Sequence, residues 1–87
     1  MRGLSAEQML LIADEVCAAH GVRVRDFAAL AAAAAVSSAS FNGVRVDDSP
    51  AVMAERVATT ITALRPLSGR NGQLAAATRR ILRHLNA

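Results

Sequence analysis

The stretch "ITALRPLSGRNGQLAAATRRILRHLNA", residues 61 to 87, places a break between two helical patterns. Pro66 has no N–H to offer a helix, so the segment before it stops there. From Asn71 or Gly72 a new helix runs to the C-terminus. It sets Leu74, Thr78, Ile81, Leu82 and Leu85 on one side and Arg79, Arg80 and Arg83 on the other. An Asn-Gly turn that opens a helix leaves backbone N–H groups pointing outward, and the helix dipole favours an anion at that end. Asn71 and Gly72, with Arg65 and Arg70 beside them, are therefore candidates for anion binding. The competing and favoured reading is that Asn71 caps the helix.

Working back along the chain, Ser49 as N-cap and Pro50 at the first helical position begin a helix whose apolar stripe is Met53, Val57, Ile61 and Leu64. Before it, "SSASFNGVRVDDSP" (37–50) has turn formers at both ends and a Val44-Arg45-Val46 alternation after Asn42-Gly43. That is the pattern of a short hairpin or flap. Its Val44 to Val46 edge suits pairing with a partner strand or a plain connection. Asp26 caps a further helix that passes through "AALAAAAAV" (28–36) to about Ser37. Ser5-Ala6-Glu7-Gln8 fits a capping box for a first helix from about Ala6 to His20, with Met9, Ile12, Ala13, Val16 and Cys17 on one face and Gly21 as its stop. His20 falls on the apolar side. The expectation is an all-α fold, a single domain over 1–87: a bundle of about four helices with a flap between the second and third.

The chain has 87 residues and is 53% hydrophobic, but much of that is Ala, whose methyl removes little surface from water. Only Phe27 and Phe41 are aromatic. So small a core predicts a thin margin of stability, and an oligomer or a bound protein partner is the default expectation. Arginine supplies all ten basic residues against seven acids, for a net charge of +3. Half of the arginines lie between Arg65 and Arg83. Arg79, Arg80 and Arg83 are the nucleic-acid candidates, but the charge is small and no aromatic side chain stands ready to stack on bases. A solvated face that complements the helix dipole is the preferred reading.

Cys17 is alone, which excludes an intrachain disulfide or a CxxC site and fits a reducing cytosol, where it reads as a small buried hydrophobe. Phe27 to Val36, the longest apolar run, is too short to span a bilayer, and Glu7, Asp14 and Glu15 interrupt any secretory pattern at the N-terminus. His20 and His84 lack metal-ligand spacing. No cofactor, metal or membrane partner is expected.

The order of features resembles the Doc branch of the Fic/Doc family: "LSAEQMLLIADEVCAAHG", an Ala-rich helix, a flap, a helix ending in "ITALRP", a Gly/Asn loop and a helix ending in "ILRHLNA". The resemblance spans nearly the whole chain and implies a helical scaffold that transfers a nucleotide or phosphoryl group to a protein hydroxyl, held in check by an antitoxin. Carried over by position, the motif is degenerate. Arg65 stands at the family's catalytic His, Pro66 agrees, and Leu67 replaces a buried Phe. Gly69 replaces the metal-binding carboxylate, Arg70 a small residue, and Gln73 the phosphate-binding Arg, while Asn71 and Gly72 match. The sequence ends at Ala87, where relatives continue into further helices, so an uncovered apolar face is expected. A guanidinium cannot accept a proton at neutral pH. Without a carboxylate at 69 or an Arg at 73, metal and phosphate both lose their ligands. The resemblance thus implies a catalytically inactive relative that acts by protein association, in a toxin–antitoxin or phage-related setting. The alternatives are a small DNA-binding regulator that uses the Arg-rich helix and a weakly active transferase.

Overall fold

A computed structural model describes residues 1–87, the side chain of Phe41 apart. Its elements are α1 (Ala6–His20), α2 (Phe27–Ser37), β1 (Ser40–Phe41), β2 (Val44–Arg45), α3 (Pro50–Leu64) and α4 (Asn71–Leu85). This is a small all-α bundle of four helices with a hairpin between the second and third. The local chemistry of the sequence sets the boundaries. Ser5 Oγ accepts from the Gln8 N–H at 3.1 Å while Gln8 Oε1 accepts from the Ser5 N–H at 2.9 Å, and Gly21 closes α1 in the left-handed region at φ 66°. Asp26 accepts from the Ala29 N–H, and Ser49 from the Val52 N–H ahead of Pro50. Asn42 and Gly43 take φ of 52° and 80°, the pair of positive values that a two-residue hairpin turn needs. They set the register Ser40 to Arg45 and Phe41 to Val44.

α3 is the central element and packs against both α2 and α4, while α1 lies across α2 and α4. Buried Ala29, Ala33 and Ala34 on α2 and Ala54 and Ala58 on α3 keep side chains small along these helices. The larger Met9, Leu30, Met53, Val57, Ile61, Leu67, Leu74 and Leu82 fill the centre. Two side chains at helix ends are less covered than their faces are. Leu64 continues the α3 stripe by period but is exposed, because the helix ends there and no neighbouring element covers it. His20, one turn after the buried Val16 and lining the same groove, is exposed in the last turn of α1. Cys17 is half-buried at the edge of the core and not fully enclosed.

The hairpin is anchored by polar bonds. Arg45 Nη2 donates to the Ser37 carbonyl at 2.7 Å, and the buried Asp47 carboxylate accepts from Arg56 Nε at 2.8 Å. Val44 and Val46 are left exposed on its edge.

Candidate functional site

The loop between α3 and α4 turns on two arginines in the left-handed region. Arg65 (φ 52°, ψ 63°) ends α3, its N–H donating to the Ile61 carbonyl at 2.9 Å, and Arg70 (φ 59°, ψ 28°) precedes α4. A side chain with a Cβ costs roughly 1–2 kcal/mol there, so something must hold the loop in place. The segment between α1 and α2 does so. The N–H groups of Arg25 and Asp26 both donate to the Pro66 carbonyl, at 2.7 and 3.0 Å, and the Ser68 N–H donates to the Arg23 carbonyl at 2.8 Å. Ser68 Oγ accepts from the Arg23 N–H, and Arg25 Nη2 donates to the Arg65 carbonyl at 2.8 Å. Val24 and Leu67 form an isolated antiparallel bridge within this seam. Sequence reading missed residues 22–25 as the loop's support. The alternation Val22-Arg23-Val24-Arg25, with the valines half-buried and the arginines exposed, was the signal.

Asn71 does not cap α4, which corrects the favoured expectation. Arg70 is the N-cap residue and makes no side-chain cap. Asn71 is already helical, so its carboxamide turns back on the loop. Its Oδ1 accepts from the Leu67 N–H at 2.9 Å and its Nδ2 donates to the Leu67 carbonyl at 3.1 Å. The first-turn N–H groups of α4 are left without an intrahelical acceptor, at the positive end of the dipole.

Arg65, Gly69, Arg70, Asn71, Gly72 and Gln73 line one open cavity of about 380 Å³ together with Thr62, whose hydroxyl donates to the Ala58 carbonyl. Pro66 and Leu67 are buried behind it. The lining carries two guanidiniums, two carboxamides and no carboxylate or imidazole. A Cβ at Gly69 would meet Val22 Cγ1 at 3.4 Å, and at Gly72 nothing within 4 Å, so side chains at either position are tolerated sterically. Among the described residues no cluster of His, Cys, Asp and Glu has the makings of a metal site, and no helix is long and apolar enough to cross a membrane.

The three arginines of α4 have different neighbours. Arg79 Nε lies 2.6 Å from Glu55 Oε2 on α3, an ion pair without hydrogen-bond alignment. Arg80 lines a groove against α1 with Glu15 and His20, and Arg83 is exposed in the last turn with His84. Burial, and secondarily Asp14, pushes the Cys17 thiol pKa above its ordinary value, which keeps it protonated and unreactive near neutrality.

Fold and cavity together define a four-helix bundle with a hairpin and an arginine-lined pocket at the α3–α4 loop. No family model matches the chain, and no curated protein or solved structure matches it.

Proposed function

We propose that this chain is a catalytically inactive Fic/Doc-like protein that acts by binding other protein chains, in a toxin–antitoxin or phage-related setting. The setting rests on the sequence resemblance alone. The observation that carries the inactive reading is the lining of the 380 Å³ cavity. Its ionisable side chains are those of Arg65 and Arg70, and a guanidinium is a donor with no acceptor site for a proton from a target hydroxyl. Gly69 offers no metal ligand and Gln73 no charged fork for phosphate. Association is supported by an open apolar groove between α1 and α4, lined by Ile12, Val16, Ala77 and Ile81 and edged by Leu11, which is 66% exposed.

The test is incubation of the purified protein with labelled nucleotide, magnesium and cell lysate. No label should be transferred. Transfer that is lost in an Arg70→Glu variant, which alters an exposed side chain of the cavity, overturns the reading.

A further inference from the structure

An apolar groove runs between α1 and α4. Two adjoining cavities of about 510 and 310 Å³ run along it and share Glu15, Val16 and Ala77. The helices are antiparallel here, since residues 11–18 of α1 lie level with Ala77 and Ile81, residues 15–20 with Gln73 to Arg80, and Asn86 bonds the backbone of Arg2 beyond them. Leu11 stands on the rim and Ala77 in the floor.

The two walls carry opposite charge where they line the groove: Asp14 and Glu15 on α1, Arg80 on α4. We propose that a second copy of this chain closes the groove, related by a two-fold axis that runs parallel to the two helices. The proposal rests on the association reading above and names its partner and surface.

Charge chooses the axis. A two-fold axis across the helices would set α1 on α1 and α4 on α4, like charge on like. An axis along them sets each α1 on the other copy's α4, antiparallel, so that the two α1–α4 pairs stack as a four-helix bundle. That rotation preserves height along the helices. Glu15 and Arg80 line the same cavity within one chain and so share a level. Glu15 therefore faces Arg80 of the second copy, twice per dimer, and the exposed Leu11 comes level with Ile81 of the opposite wall.

Sedimentation equilibrium over a wide concentration range reads the result. The wild-type mass rises with concentration from 9.1 kDa to twice that value. Glu15→Arg alone, or Arg80→Glu alone, turns both contacts repulsive and weakens association about tenfold. An equimolar mixture of the two variants restores it, because each altered charge then meets its complement on the other chain. That rescue also shows that both variants fold. A wild type that stays at 9.1 kDa, variants that associate as well as wild type, or a mixture no tighter than the variants alone would each overturn the proposal. None of these outcomes bears on the inactive reading, which falls only on nucleotide transfer.

Discussion

Asn71 holds Leu67 by both faces of its backbone, accepting the N–H through Oδ1 and donating to the carbonyl through Nδ2. The bracket fixes the loop that carries Arg65 and Arg70. An amide that matches one donor and one acceptor has no isosteric replacement among the acids, since a carboxylate only accepts. Asn71→Ala should cost about 1–2 kcal/mol by leaving the partly buried Leu67 groups without partners, and Asn71→Asp nearly as much. Urea denaturation measures both. If Asn71→Ala unfolds at the wild-type midpoint, the bracket contributes nothing.

A second constraint is steric. A Cβ at Gly3 would lie 2.6 Å from the Ser37 carbonyl oxygen and 2.7 Å from Ser37 Oγ. The contact is with backbone as well as side chain, so it cannot be relieved by a rotamer change. Ser37 is fully buried, and its hydroxyl accepts from the Leu4 N–H at 2.8 Å while donating to the Ala34 carbonyl at 2.6 Å. Gly3→Ala should destabilise by about 1–3 kcal/mol through overpacking. Ser37→Ala should fall in the same range for a different reason, an unsatisfied buried N–H at Leu4. The double variant should cost less than the sum of the two, because removing the hydroxyl gives the new methyl part of its room.

The hairpin's anchor makes a third case. The Asp47 side chain is 1% exposed and its partner Arg56 51% exposed. Asp47 Oδ2 is buried with no hydrogen bond among the described residues. Removing the exposed partner strands the buried charge, so Arg56→Met should cost about 2–3 kcal/mol although it alters a surface residue. Asp47→Asn in that background should recover a large part of the loss. Thermal unfolding of the four proteins of this cycle reads the coupling, and additive effects would show that the pair is not energetically joined.

The parts of this architecture that could be read from sequence are those whose partners lie within one turn. Ser5 with Gln8, Asp26 with Ala29, Ser49 with Pro50 and Asn42 with Gly43 each determine a local backbone geometry, and the helix limits follow from them. The alternation at 22–25 marked a half-buried strand, but its partner in the α3–α4 loop was not legible, because the Pro66 carbonyl and the Arg25 N–H meet only once three helices have packed. Leu64 and His20 show the complementary limit. Hydrophobic period assigns a face to each, but where cover ends depends on the length of the neighbouring element. Asn71 shows a third kind. The residue type fitted a cap, and a shift of one position in the helix start turned its carboxamide towards a different partner.

The raised Cys17 pKa has a consequence at alkaline pH. The thiol ionises at lower pH in the unfolded chain than in the fold, so its contribution to stability is intact below the unfolded value and is lost as pH rises through the unfolded and then the folded value. Stability measured from neutral into this range should fall, and Cys17→Ala should flatten that part of the curve. Alkylation at neutral pH should be slower for the native protein than for the urea-unfolded chain. Equal alkylation rates in the two states would contradict the burial that causes the shift.

Arg70 offers the opposite sign of effect. It sits at φ 59° with its side chain exposed and no capping bond of its own, so the fold bears the left-handed strain of a Cβ without an evident packing return. Glycine occupies that region without steric cost, though it adds conformational freedom to the unfolded chain. The strain of roughly 1–2 kcal/mol exceeds the entropic term of about 0.5–1 kcal/mol. Arg70→Gly should therefore stabilise the protein by up to about 1 kcal/mol, whereas Arg70→Ala, which keeps the Cβ, should give no such gain. The comparison isolates the backbone, because both variants delete the same charge from the cavity. If alanine stabilises as much as glycine, the gain comes from deleting a cation at the positive end of α4 and not from the backbone.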